Sequence, residues 1–177
     1  MLCSFPIHFV SVKKIRPNEH HYPEHAVSLA DAIRQEQLWR IPIAVERTSL
    51  AVMDGHHRLA AARQLKLKYI PCLLLDYDLV EVDSSRNGYH VDPDEIMHRA
   101  RTGNLYPPKT TRHQFPSPLP VCNISVPLLQ EQPAFPPFLQ TKICPLDRYV
   151  AGRFPNLSNR TNRQVGYRVL ILEKSYR

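Results

Sequence analysis

Two short segments of this 177-residue chain concentrate side chains that bind anions. The first, Asp54-Gly55-His56-His57-Arg58, stands between an apolar run and a run of good helix formers. A strand that passes through an Asp-Gly turn directly into a helix leaves the first backbone N–H groups of that helix without intrahelical acceptors. Together with the helix dipole, and with Arg58 and the two histidines as charge-assisted donors, these groups predict a phosphate site. Asp54 is then placed to hold the Mg²⁺ that accompanies a nucleotide.

The same turn also has a purely structural interpretation. In that interpretation Asp54 caps the helix, Arg58 forms a local ion pair, and His56 and His57 lie on the surface. Both interpretations are kept at this point, since the residue types fit each of them.

The second segment follows two consecutive prolines and consists almost entirely of hydrogen-bond donors. A free amino acid presents a carboxylate, and the fork of N–H groups on a guanidinium is suited to bind one in a paired geometry. Hydroxyl groups beside it would fix the orientation of the guest, and the prolines would reduce the entropy lost on binding. The candidate residues are Lys109, Thr110, Thr111, Arg112 and His113. The alternative is a solvated basic loop.

Short strands and helices must carry these two segments. Caps and turn residues divide the first hundred residues into the order β-α-β-β-α-β-α, which predicts an α+β fold. Asp92 and Pro93 open the last helix of this series and Gly103 closes it. The predicted strands lie at 7–12, 43–45, 50–53 and 70–75, and the predicted helices at 29–38 (with Ser28 as N-cap), 59–65 and 93–102.

The composition excludes several classes of protein. No apolar run approaches the roughly 20 residues that cross a bilayer, so we expect no membrane span. The first twelve residues lack the features of a secretory leader, and four separated cysteines (Cys3, Cys72, Cys122 and Cys144) favour reduced thiols in a cytoplasm. The net charge is +7, and after residue 130 eight Lys and Arg stand against three Asp and Glu. Since eleven of the 17 prolines lie between Pro107 and Pro155, residues 131–177 have the composition of a basic, Pro-rich tail.

The stretch from Val52 to Tyr77 resembles the second half of the ParB/sulfiredoxin-like domain, in which a Gly-x-x-Arg turn binds nucleotide phosphates. Sulfiredoxins have a catalytic cysteine where this chain has His56, and ParB proteins continue into a helix-turn-helix domain where this chain is rich in proline. The free L-serine kinases carry an Asp-Gly-x-His-Arg turn and a Pro-Pro-Lys-Thr-Thr-Arg-His block. Both blocks are present here in the same order, at 54–58 and 107–113, so this is the branch that the chain resembles.

This resemblance implies a compact α+β domain with a small mixed sheet and packed helices. Residues 1–102 would form a ParB-like nucleotide-binding domain. Residues 103–130 would hold the substrate-binding segment and a final strand at Asn123–Leu129. The resemblance ends there, and the composition of residues 131–177 predicts a basic, Pro-rich tail that is either disordered or an addition to the domain, with no role indicated.

The activity that the resemblance implies is the phosphorylation of free L-serine to O-phospho-L-serine, with Mg²⁺ and either ADP or ATP. In that family the turn matched by 54–58 binds the nucleotide phosphates, and the block matched by Lys109 to His113 binds serine. A glutamate after the first strand acts as the base, and Glu19 matches it, with Glu24 as the nearby alternative. Because the chain has no Walker motif and no protein-kinase catalytic loop, phosphoryl transfer would have to use this turn.

A non-catalytic role is the alternative function. A ParB-like regulator would bind nucleotide or, through its basic tail, DNA with a steep dependence on salt. Without a helix-turn-helix pattern, nucleic acid is the less favoured partner, and L-serine and a nucleotide are the favoured ones. The sequence carries no signal for the oligomeric state.

Overall fold

The computed structural model describes residues 6–131, which form eight strands and four helices. In chain order these are β1 (Ile7–Ser11), α1 (Pro23–Glu36), β2 (Leu38–Trp39), β3 (Ile43–Glu46), β4 (Val52–Asp54), α2 (His56–Gln64), β5 (Tyr69–Leu75), β6 (Glu81–Ser84), α3 (Pro93–Thr102), β7 (Thr111–Gln114), β8 (Ile124–Ser125) and α4 (Val126–Gln130). The predicted combination of a small mixed sheet with helices is confirmed. The predictions for Cys3, Cys144 and the tail beyond Glu131 concern residues outside this range.

A four-stranded mixed sheet in the order β1-β5-β3-β4 forms the centre of the described structure. Strand β5 is antiparallel to β1 and parallel to β3, and the β3–β4 hairpin forms the other edge. All residues of β3 are buried, as is typical of an inner strand covered on both faces. Because β4 ends at Asp54 and α2 begins at His56, this edge of the sheet positions the Asp-Gly turn.

Helices α1 and α2 contact each other and share one hydrophobic core with the sheet. Ile43, Ile70 and Leu73 are fully buried at its centre, and so are the small side chains of Ala61 and Ala62 on α2. Side chains of this size let a helix approach its neighbours closely, which brings the start of α2 near the start of α1. Within residues 6–131 no helix has the length and hydropathy that a membrane crossing needs.

The first helix begins earlier than predicted, and the prediction that Ser28 is its N-cap is wrong. Tyr22 is the N-cap, and Pro23 stands in the first turn, where its fixed φ suits a helix and its missing N–H costs nothing. Ser28 lies inside the helix, where its hydroxyl donates to the carbonyl of Glu24 at 3.0 Å. The helix ends at Gln37, which adopts a left-handed φ of 55°.

The third helix has the predicted bounds, because its signals are local. The Asp92 side chain accepts a hydrogen bond from the N–H of Glu95 at 2.7 Å, and Pro93 follows at the first helical position. Gly103 ends the helix with a φ of 75°, a conformation that glycine adopts without steric penalty.

Two pairs of short strands were not predicted, and both involve residues after Gly103. Strand β7 pairs with β6, and β8 pairs with β2. The predicted final strand at Asn123–Leu129 is wrong beyond Ser125, because the chain turns into helix α4 at Val126. Pro127 in the first turn of α4 explains the change, since proline cannot donate to a strand ladder but fits the start of a helix.

Candidate active site

One cavity of about 650 Å³ gathers residues from the three places that the sequence singled out. Its wall includes Glu19, the turn from Asp54 to Arg58, and Lys109, Thr111 and Arg112 of the second segment. Leu29, Ile41 and Met53 give the cavity an apolar side. A larger cavity of about 820 Å³ lies at the start of α3 and contains none of these residues. The chemistry of the lining therefore assigns the candidate site to the smaller cavity.

The turn before α2 requires a glycine. Gly55 is the N-cap of the helix with a φ of 111°, and a Cβ atom placed there would lie 3.1 Å from Cγ1 of Ile43 and 3.2 Å from Nε of Arg58. No side chain caps the helix, and its first turn contains no acidic residue, although acidic residues are favoured there. The backbone N–H groups of this turn thus keep their capacity to bind an anion from outside the chain.

Arg58 points into the protein rather than toward a guest. Its Nη1 donates to the carbonyls of Pro42 at 2.6 Å and Ile41 at 3.2 Å, and its Nη2 pairs with Oδ2 of Asp54 at 2.5 Å. The local ion pair of the structural interpretation is therefore present, and the Arg58 side chain is only 16% exposed. The other part of that interpretation is wrong, since Gly55 rather than Asp54 caps the helix.

The histidines of the turn are neutral and partly buried. Burial, followed by the repulsion from His113 and His57, lowers the pKa of His56 to about 3. Burial and the neighbouring His25 lower the pKa of His57, whose Nε2 accepts the N–H of Tyr22 at 3.2 Å. The alternative that both side chains lie on the surface is wrong, because both are partly buried, and their lowered pKa values favour the neutral forms when no anion is bound.

The carboxylate of Glu19 is held by backbone N–H groups of the second segment. Its Oε1 accepts from the amide of Lys109 at 2.6 Å, and its Oε2 accepts from the amides of Thr110 at 2.9 Å and Thr111 at 2.8 Å. The hydroxyl of Thr111 donates to the same Oε2 at 3.0 Å. Glu19 is 7% exposed and lines the cavity. Glu24, the alternative base, is exposed in the first turn of α1 and does not line this cavity.

The second segment divides into residues that face the cavity and residues that do not. Lys109, Thr111 and Arg112 line it, and the Arg112 guanidinium also lies 3.2 Å from Asp83 on the neighbouring strand β6. Thr110 is buried, and its hydroxyl donates to the carbonyl of Pro107 at 2.8 Å. His113 hydrogen-bonds to the hydroxyl of Tyr77 at 3.1 Å, and burial lowers the pKa of this histidine to about 4. The structure therefore does not bring the side chains of Thr110 and His113 into the cavity.

Sequence reasoning missed the apolar side of the cavity and the hairpin that supports the second segment. Leu29 was predicted as part of a helix and Met53 as part of a strand, and Ile41 lies between predicted elements, so none of the three was predicted to line a site. Ser85 lines the cavity after β6, and its N–H donates to the carbonyl of Thr110 at 2.7 Å. No spacing in the sequence signals these positions, because the β6–β7 pairing joins residues about thirty positions apart.

The residues around the turn fit a magnesium ion that a nucleotide brings with it. No group of three or more His, Cys, Asp or Glu side chains in residues 6–131 is placed to hold a metal ion alone. Mg²⁺ is commonly held by one or two carboxylates together with substrate phosphates and water. Asp54 can supply one such ligand, because its pair with Arg58 uses Oδ2 and leaves Oδ1.

Comparison with known proteins finds two kinds of curated relative, and no family model matches the chain. A ParB-like protein of Sulfolobus acidocaldarius is 28% identical over 96 residues, which cover 54% of this chain and 48% of that protein. An ATP-dependent L-serine kinase of Staphylothermus marinus is 35% identical over 72 residues, which cover 38% of this chain and 29% of that protein. The matches thus span less than half the length of either relative.

Solved structures share the fold over a larger part of the chain. A free serine kinase in complex with ADP, in a glutamate-to-alanine variant, matches with a TM-score of 0.65 at 14% identity over 72% of this chain and 95% of its own. The C-terminally truncated SbnI from Staphylococcus aureus matches with a TM-score of 0.62 at 13% identity over 72% and 90% of the two chains. This chain therefore shares the fold of these two solved structures, and parts of it are similar in sequence to a ParB-like protein and to an ATP-dependent L-serine kinase.

Proposed function

We propose that this protein is a nucleotide-dependent kinase that phosphorylates the hydroxyl of free L-serine to form O-phospho-L-serine. The observation that carries the proposal is the composition of one cavity. The carboxylate of Glu19 lines this cavity together with the start of helix α2, whose N-cap is Gly55 and whose first N–H groups have no side-chain cap. Phosphoryl transfer needs an acceptor for the hydroxyl proton and a site for the phosphate charge, and these two features are suited to supply them.

The nucleotide phosphates would bind at the start of α2. The N–H groups of the first turn, which no side chain caps, would donate to phosphate oxygens, and Gly55 provides the positive φ that this turn needs. Arg58 adds positive charge beneath the turn while it remains bound to Asp54 and to the carbonyl of Pro42. Oδ1 of Asp54 would hold Mg²⁺, which neutralises phosphate charge when bound.

Glu19 would orient the serine hydroxyl and accept its proton. Oε2 of Glu19 already accepts from Thr110 and Thr111, whereas Oε1 accepts from the amide of Lys109 alone. Oε1 therefore keeps a lone pair for the hydroxyl. As the proton passes to Oε1, the serine oxygen forms a bond to the terminal phosphorus, and the bond from that phosphorus to the nucleotide oxygen breaks. ADP would leave AMP, and ATP would leave ADP.

The carboxylate of serine would bind near Lys109 and Arg112, which supply positive charge on the same wall as Glu19. Arg112 is well exposed and shares only a 3.2 Å contact with Asp83, so its guanidinium is free to turn toward a guest. The neutral imidazoles of His56 and His57 add no charge to the site at pH 7.

The test incubates the purified full chain with L-serine, MgCl₂ and either ADP or ATP, and measures phosphoserine by mass spectrometry. We expect phosphoserine with at least one nucleotide, a loss of product in Glu19→Ala, and retained activity in Glu24→Ala, which changes an exposed glutamate outside the cavity. A wild-type chain that forms no phosphoserine with either nucleotide would refute the proposal.

A nucleotide-binding regulator without catalysis is the second candidate, favoured by the ParB-like relative. It predicts ADP or ATP binding by calorimetry with no phosphoserine. It also predicts salt-sensitive binding to a DNA duplex that is lost when residues 131–177 are removed. Assays of phosphoserine formation and of DNA binding on the same purified protein distinguish the kinase from the regulator.

A further inference from the structure

The peptide group between Pro108 and Lys109 connects a cation to the candidate base. Its carbonyl oxygen accepts from Nε of Arg86 at 3.1 Å and from Nη2 of Arg86 at 2.8 Å. Its N–H donates to Oε1 of Glu19 at 2.6 Å. Both atoms belong to one conjugated amide, so a positive charge at the oxygen polarises the N–H and strengthens its hydrogen bond to a carboxylate.

We propose that Arg86 is a positioning residue of the active site, which acts on Glu19 through this single peptide group. The inference rests on the proposed function, because that function gives Glu19 its catalytic role. Oε1 is the oxygen that would face the serine hydroxyl, and the Lys109 amide is its hydrogen-bond partner within the protein. A shift of the Lys109 amide, or a weaker hydrogen bond from it, would therefore misplace Oε1 of Glu19, the atom that accepts the proton.

The backbone at Lys109 needs support from outside the loop. Lys109 has a φ of 57°, in the left-handed region of the backbone that residues other than glycine and asparagine seldom adopt. Such a conformation persists only where the surrounding contacts impose it. Arg86 holds the carbonyl on one side of this residue, and Ser85 donates its N–H to the carbonyl of Thr110 on the other side at 2.7 Å.

Arg86 is itself fixed by its neighbour in the hairpin. The hydroxyl of Ser84 donates to the carbonyl of Arg86 at 2.6 Å and accepts the Arg86 N–H at 3.2 Å. These bonds set the backbone from which the guanidinium reaches Pro108. Two donors of the exposed Arg86 guanidinium, Nε and Nη2, converge on the one carbonyl oxygen of Pro108.

The kinetic test compares Arg86→Met with Arg47→Met. Arg47 is a matched control because it also donates to a backbone carbonyl, that of Leu74 at 3.0 Å, and does not line the cavity. We expect kcat for phosphoserine formation to fall about tenfold in Arg86→Met with KM for both substrates nearly unchanged, and Arg86→Lys to recover part of the loss. Arg47→Met should retain wild-type kcat. A change in KM with kcat unchanged, or equal effects in both variants, would overturn the inference.

Amide hydrogen exchange measured by NMR gives a readout that does not require activity. We expect the Lys109 amide to exchange about tenfold faster in Arg86→Met than in the wild type or in Arg47→Met, because its hydrogen bond opens more often. An unchanged Lys109 amide would overturn the inference even if kcat fell. If the wild type forms no phosphoserine, the proposed function fails, and the exchange of this amide still decides whether Arg86 holds Glu19.

Discussion

Replacing Gly55 with alanine tests the turn on which the nucleotide site depends. Gly55 has a φ of 111°, and the new Cβ would lie 3.1 Å from Ile43 and 3.2 to 3.3 Å from the guanidinium of Arg58. Gly88 is the matched control, because it also has a positive φ of 84° but has no atom within 4 Å of an added Cβ. Comparing the two variants separates the free-energy cost of a positive φ from the cost of steric crowding around the new Cβ.

The expected magnitudes follow from these two contributions. A residue with a side chain at positive φ costs about 1 to 2 kcal/mol, which is the whole effect expected for Gly88→Ala. Crowding in a packed site adds about 1 to 3 kcal/mol, so we expect Gly55→Ala to lose about 3 kcal/mol of unfolding free energy. Any movement of Arg58 that relieves the crowding also disturbs its bonds to Asp54 and Pro42. The N–H groups of the turn would then be displaced, and ADP should bind at least about tenfold more weakly.

Urea unfolding measures the stability of both variants, and calorimetric titration with ADP and MgCl₂ measures the affinity under conditions where both are folded. The reasoning is refuted if Gly55→Ala is no less stable than Gly88→Ala and binds ADP as tightly as the wild type. If Gly55→Ala loses stability but binds ADP with unchanged affinity, the turn needs a glycine as argued, but the phosphates do not bind at this turn.

Three further predictions concern the charges of the site. Arg112→Lys should raise KM for serine about tenfold, equivalent to about 1.4 kcal/mol, with ADP affinity unchanged, whereas Arg58→Lys should weaken ADP and spare serine; an unchanged KM in Arg112→Lys would contradict the assignment. Asp54→Asn should make ADP affinity independent of Mg²⁺, which titrations in MgCl₂ and in EDTA would measure. Because His113 has a folded pKa of about 4, below its ordinary value of 6.5, the unfolded chain takes up this proton first as the pH falls. Between pH 7 and pH 5 this histidine should cost about 2 kcal/mol of stability, and urea unfolding of His113→Gln should show a pH profile flatter by that amount.

The third helix, whose signals come from a few neighbouring residues, was predicted with its correct bounds. Asp92, Pro93 and Gly103 mark the third helix because a cap, a fixed φ and a left-handed terminus act within one turn of the backbone. The strand that leads into the Gly55 turn was also predicted, but at 50–53, and it lies at Val52–Asp54. Ser28 failed as a cap because an earlier signal, Pro23, was available to start the helix.

The structure shows contacts within the candidate site that the sequence analysis did not predict. The second segment was expected to bind a carboxylate through its side chains, but in the structure the backbone N–H groups of Lys109, Thr110 and Thr111 bind the carboxylate of Glu19. Backbone donors are the same in every residue except proline, so their use leaves no mark on residue type. The ion pair between Arg58 and Asp54 could not be predicted for a similar reason. The residue types alone do not tell whether each side chain binds the other or a ligand.

The sequence by itself therefore indicated the third helix, the four strands of the central sheet to within two residues, and the two candidate segments at 54–58 and 109–113, because propensity, capping and turn geometry are properties of adjacent residues. The tertiary structure alone decided which of their groups meet. Glu19 reaches amides about ninety positions away through the pairing of its backbone with Tyr106. The pKa values of His56 and His113 are lowered mainly by burial among the residues that pack around them. Long-range pairing and desolvation depend on the positions of distant residues in space, and no local pattern in the chain records those positions.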